Sequence, residues 1–134
     1  MSRRPHFLAP LTRSTAGQQS LWANGSSRPI ATKLTAAFDS ASRKRGLLGR
    51  VSLDENEALV LAPCSAVHTF GMQFAIDVVY ADRIGRVIKI RKAVQRNRVS
   101  AALGAFAVIE LAAGTVARTG LKRGDRLELQ HTTV

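Results

Sequence analysis

The chain has 134 residues, 46% of them hydrophobic and 22% charged, and twenty Lys or Arg against nine Asp or Glu give a formal net charge of +11. That length suits one domain and leaves no room for a second, and a folded chain of this mass buries about two-thirds of the surface its unfolded form exposes, enough for a core without disulfides or structural metal. A mean hydropathy near zero excludes disordered and fibrous classes, and the longest small apolar run, Val99 to Ile109, falls short of the about 20 residues that a membrane helix needs.

Residues 1–29, rich in Ser, Arg, Pro and Gly, read as an amino-terminal extension partly docked on the core; residues 30–134 read as a single β domain. Phe7 to Leu11 and Trp22 are the groups expected to dock, and Asn24 to Pro29 is a turn signal. The start, Ser2 to Leu8, has the twin arginines of an export signal. Such a signal needs an apolar stretch next, and here Pro10, Arg13 and the run Gly17 to Ser20 break it. The single cysteine, Cys64, permits no intramolecular disulfide, so no oxidising compartment is implied and the chain reads as cytoplasmic.

Residues 30–46 admit two patterns. Ile30, Leu34, Ala37, Phe38 and Ala41 fall at helical spacing, whereas Ile30, Thr32, Leu34, Ala36 and Phe38 alternate. Strand followed by short helix is the preferred reading. Asp39 or Ser40 would cap the helix, the cations Arg43, Lys44 and Arg45 suit its negative end, and Gly46 fits the stop after it.

The remainder reads as β. Ala58 to Leu61 is a short strand stopped by Pro63. Phe74 to Tyr80 is β-branched and aromatic, Asp82 to Gly85 is a turn, and Val87 to Ile90 returns as the second strand of a hairpin. Phe106 to Leu111 is a further strand, Gly114 to Gly120 a turn or two of helix, and Arg126 to Gln130 the last strand. Five or more short strands with one or two short helices predict a mainly β fold, a compact antiparallel β-sandwich or barrel.

Three features bear on chemistry. Cys64, His68 and Met72 recur every four residues, and all three are soft or borderline metal ligands. A zinc site would ask for a further ligand, so the plainer reading packs Cys64 and Met72 in the core, with His68 at a cleft rim and no metal or cofactor. Asp77 and Glu110 each interrupt an apolar strand, where a carboxylate is costly unless hydrogen-bonded or paired. They read as structural carboxylates that accept bonds from an arginine or from loop N–H groups, with Arg43, Arg45 and Arg50 as partners for Asp77. A guanidinium beside Asp77 is the preferred arrangement. The competing reading is a carboxylate pair doing acid–base work. Finally, residues 1–52 hold nine Lys or Arg and one acid, Asp39, and Arg86 to Arg98 holds six cations and none. Arg86, Lys89, Arg91 and Lys92 could track a phosphate backbone, although no aromatic residue is interleaved for base stacking, and a solvated face is the simpler account.

Several segments occur in a specific order: Arg45 to Arg50, Val67 to Tyr80, the Asp82 to Val87 turn, Ile109 to Gly114 and Gly120 to Asp125. Together they resemble the bacterial and archaeal family known as domain of unknown function 192, over roughly residues 30–130. Gly46, Leu47, Arg50, Asp77, Gly85, Glu110, Gly114, Gly120, Gly124 and Asp125 fit its pattern. The resemblance implies a small β-sandwich or barrel with a short helix before the Gly-Leu-Leu segment, and it implies no established activity. The commoner family form has Trp-Met-Lys-Asn-Thr before a Pro-Leu-Asp step. Here His68 to Met72 stands in that stretch and Ala75 replaces the proline, so any ligand chemistry there differs.

The sequence therefore predicts a non-enzymatic β domain with no catalytic residues, a monomer or weak homodimer. It would bind a small ligand or a protein partner through the His68–Asp77 segment, with Arg45, Arg50, His68, Met72 and Asp77 as binding residues. Two alternatives stand beside it. One is an enzyme using Asp77 and His68 as an acid–base pair, with or without a metal; the other is a nucleic-acid binder using the basic surface.

Overall fold

Residues 5–12 and 19–132 are described by the computed structural model. Nine strands and two short helices follow in order: β1 (Gln19–Ala23), β2 (Lys33–Ala37), α1 (Ser40–Arg45), β3 (Glu57–Leu61), β4 (Ala66–His68), β5 (Ile76–Ala81), β6 (Val87–Val94), β7 (Val99–Ala101), β8 (Ala107–Ala112), α2 (Thr115–Thr119) and β9 (Leu127–His131). A 3-10 turn, Ala9–Thr12, precedes them. The central sheet has five strands in the order β2-β3-β8-β5-β6, with β2 parallel to β3 and every other pair antiparallel. Ribbons β1–β9 and β4–β7 complete a sandwich-like, mainly β fold with no closed barrel.

The sheet separates two apolar layers, and strand alternation decides which residue enters which. On β5, Val79 and Ala81 join Val60, Ile109 and Leu111 in the first layer, beneath Leu8, Leu21 and Leu127. Ile76, Val78 and Tyr80 join Leu59, Leu61 and Val108 in the second, beneath Leu47, Leu53 and Met72. All six β5 residues are buried. A central strand covered on both faces reads as a continuous apolar run, which is how Phe74 to Tyr80 appears in the sequence.

Local chemistry sets the boundaries. The Asp39 carboxylate accepts the Ser42 N–H at 2.7 Å and starts α1, and the Gly46 N–H closes it on the Ser42 carbonyl. In the β5–β6 turn, the Asp82 side chain accepts N–H bonds from Ile84 and Arg86. Gly85, at φ +94°, passes so close to the Leu127 carbonyl that only glycine fits there.

The structure differs from the sequence reading at three places. The stretch expected as an extension contains β1, which pairs residue for residue with β9. The expected docking of Phe7 to Leu11 is present, with Leu8 and Leu11 in the core; Leu21 of β1 is a core residue too, and Trp22 is half-buried with its indole N–H on Ser20 Oγ at 2.8 Å. β6 runs four residues beyond Ile90, to Val94, through a bulge at Ala93, where φ is +48°. The pair β4–β7 was not foreseen at all. No helix among the described residues is long and apolar enough to cross a membrane.

Candidate functional site

The two strand carboxylates singled out by the sequence, Asp77 and Glu110, separate onto the two faces of the sheet. Register places Val78 opposite Glu110 and Asp77 opposite Leu111. Asp77 therefore shares the first layer with Val79, and Glu110 shares the second with Val108. The two carboxyls do not form a pair.

Asp77 is 1% exposed. One oxygen, Oδ1, accepts the Ala93 N–H at 2.9 Å, and Oδ2 accepts the N–H groups of Val116 at 2.9 Å and Gly114 at 3.2 Å. The expected guanidinium is replaced by three backbone donors, because the bulge of β6 and the start of α2 both turn their free N–H groups toward β5. None of the ion pairs among the described residues includes Asp77. Arg50 instead grips Glu57 through two bonds of 3.1 Å.

On the other face lies a cavity of about 300 Å³. Arg43, Lys44, Arg45 and Gly46 from the end of α1 form one side. Leu47, Leu48, Leu61 and Met72 supply apolar wall, and Cys64 and His68 the remaining polar groups. Glu110 lines it from the central sheet. A Cβ on Gly46 would lie 4.0 Å from Glu110 Oε1, which places the helix end directly against the carboxyl. The Cys64–Met72 side is pinned by Thr69, buried, whose hydroxyl bonds the Gln95 carbonyl at 2.6 Å and accepts the Arg98 N–H at 2.9 Å.

Glu110 is 5% exposed, and its carboxyl accepts no hydrogen bond from any described residue. Burial alone pushes its carboxyl up to about 7. Burial also pushes the Cys64 thiol up, with the Glu110 charge acting in the same direction, and the thiol donates to the Ala66 carbonyl at 3.2 Å. A thiol held protonated is a poor nucleophile and a poor metal ligand. Among the described residues no group of three or more His, Cys, Asp or Glu side chains is arranged to hold a metal ion.

Of the residues named from the sequence, Arg45, His68 and Met72 meet in this cavity, whereas Arg50 and Asp77 lie outside it. Cys64, His68 and Met72 share one surface, brought together by β4 and the turn after it. Glu110 is the site residue that sequence reasoning placed among structural carboxylates. Its signal was present, a lone acid in an apolar strand, but the sheet face it occupies depends on register.

A family model described as "Uncharacterized ACR" matches residues 21–129. No curated protein matches the chain. Two crystal structures are similar. One is a protein of unknown function from Novosphingobium aromaticivorans, with TM-score 0.73, 24% identity, 81% of this chain and 83% of that chain covered. The other is a protein from Sinorhizobium meliloti, provisionally described as a transcription regulator, with TM-score 0.72, 20% identity and coverage of 82% and 90%. At these identities the likeness establishes the fold.

Proposed function

The chain belongs to the domain of unknown function 192 family, and from that premise we propose that it is a binding module for a small amphipathic anion, held in the cavity between α1 and the Cys64–Met72 segment. The observation that carries this reading is Glu110, a buried carboxyl with no protein hydrogen-bond partner among the described residues, on the wall of an open cavity. Its oxygens keep contact with the open cavity, so a ligand donor that reaches them replaces solvent in a poorly hydrated site.

The lining specifies the ligand class. Lys44 and Arg45 are exposed at the end of α1 and enter no ion pair among the described residues, so they suit a carboxylate or phosphate. Leu47, Leu61 and Met72 suit an apolar body. Glu110, poised near neutrality, suits an amine, hydroxyl or amide at the ligand's inner end. A cavity of about 300 Å³ is at the small end of ligand sites, which favours a molecule of amino-acid size. An acid–base pair of Asp77 and His68 is disfavoured, since Asp77 commits both oxygens to backbone N–H groups on the opposite face.

The test is a thermal-shift and calorimetric screen of apolar amino acids and the matching organic acids. A hit that weakens at least about tenfold in Glu110→Gln and in Lys44→Ala with Arg45→Ala supports the reading. Saturable binding that neither variant alters, or no binding across both classes at millimolar concentration, counts against it.

A further inference from the structure

Away from that cavity, the chain gathers cations along the open edge of the central sheet. β6 is the edge strand, and only its first residues are covered, where Val87 exchanges backbone bonds with Gly124 and Asp125. Beyond them, Lys89, Arg91 and Lys92 line a shallow trough whose far wall is Leu121, Lys122 and Arg123. A second depression, toward Ala101 to Gly104, shares Ile88, Lys89 and Arg123 with it, so the two form one continuous groove. Residues about thirty positions apart in sequence thus contribute to one strip of positive charge.

The strip continues at the start of β6, where Arg86 and Arg126 sit directly opposite each other in an isolated antiparallel bridge. Like charges facing across a strand pair are destabilising unless an anion lies between them or solvent screens them. Both residues are exposed, as are Arg91, Lys92, Lys122 and Arg123. Among these only Lys122 forms an ion pair, with Asp125 3.9 Å away, and the one acid lining the groove is Asp82, whose carboxylate accepts the backbone N–H groups of Ile84 and Arg86.

We propose that this trough binds the sugar–phosphate backbone of duplex nucleic acid, without reading its sequence. Three observations select that partner. The groove holds no aromatic side chain, so bases have nothing to stack on. Shallow as it is, it carries cations on both walls, Lys89, Arg91 and Lys92 on one and Lys122 and Arg123 on the other, which suits a row of phosphates lying between them. From Lys89 to Lys92 the extended strand spans about 10 Å, the rise of roughly three phosphates on one strand. Lys89 is partly a structural residue, since its ammonium donates to the Ala101 carbonyl and lies over the Tyr80 ring, so the contacts rest chiefly on Arg91, Lys92 and Arg123.

The experiment is fluorescence anisotropy of the full chain with a labelled DNA duplex of about 20 base pairs, from about 50 to 200 mM salt. The wild type is expected to bind with a Kd of roughly micromolar order at low salt and a log–log salt slope of about −3 to −4. Arg91→Glu, Lys92→Glu and Arg123→Glu together should weaken binding roughly 30-fold or more and flatten the slope by about 2 to 3. A control with the same charge change elsewhere, Arg28→Glu, Lys33→Glu and Arg118→Glu, should stay within about threefold of wild type. If circular dichroism shows the trough variant unfolded, the Gln versions of the same three positions replace it. Equal losses in trough and control variants, no saturable duplex binding at low salt, or binding to anionic vesicles in place of the duplex would each overturn the proposal.

Discussion

Asp77 on β5 caps a helix to which it does not belong: its Oδ2 accepts the Val116 N–H of α2 at 2.9 Å. Gly114, at the usual capping position, has no side chain to offer. The same carboxylate holds the Ala93 N–H, so one buried group ties the β6 bulge and the α2 start to the middle of the sheet. Hydrogen bonds from backbone N–H to a charged acceptor are among the stronger ones in a fold.

Asp77→Asn is expected to destabilise the protein by about 2–3 kcal/mol. An amide keeps one acceptor and turns an NH₂ group toward N–H groups that it cannot satisfy. Urea unfolding measures this directly, and an unchanged midpoint would contradict the capping role.

Gly85→Ala is expected to cost about 2 kcal/mol or more. The position combines φ +94° with a Cβ that would meet the Leu127 carbonyl and, at 3.1 Å, the Phe7 ring. The same change at Gly25, also at positive φ but with open space around it, should cost distinctly less. Comparable thermal midpoints for the two variants would show that the close approach does not matter.

Tyr80→Phe probes the second layer. The Tyr80 hydroxyl donates to Ser100 Oγ at 2.7 Å, fully buried, and joins β5 to β7. Its removal leaves the Ser100 hydroxyl unpaired and should lower stability by about 1 kcal/mol. Pairing it with Ser100→Ala should recover part of that loss in a double-mutant cycle.

Much of the fold is legible in the sequence because local chemistry writes it. Asp39 and Gly46 bracket α1, Asp82 and Gly85 make the hairpin turn, and the apolar run of β5 announces a strand covered on both faces. What stayed hidden is set by long-range pairing. Gln19–Ala23 becomes a strand because β9 pairs with it over a hundred residues away. Alternation puts Asp77 with Val79, but only the β5–β8 register reveals that Glu110 faces the other way. Likewise nothing near Arg50 forecasts its bidentate bond with Glu57, which removes it from the cavity.

Stability should carry the mark of Glu110. Below pH 4.5 its carboxyl is protonated in both folded and unfolded chains. Between 4.5 and about 7 the folded chain retains a proton that the unfolded chain has released, so stability falls as pH rises, and beyond about 7 the loss is complete. The full span corresponds to about 3 kcal/mol. Arg43, Lys44, Arg45, Cys64 and His68 share its cavity, and Tyr80 lies in the same layer. Asp39 and Glu57, whose carboxyls are held low by their hydrogen bonds, respond in the opposite sense. Subtracting the Glu110→Gln curve from the wild-type curve isolates the term, and a flat difference would contradict it.

The most direct measurement is the titration of the Glu110 side-chain carboxyl followed by carbon NMR on the labelled protein, alone and with a ligand from the amino-acid screen. The account predicts a midpoint near 7 in the free protein, displaced once the cavity is filled. A midpoint near 4.5, unmoved by any bound compound, would mean that this carboxyl is solvated and that the cavity is not built around it.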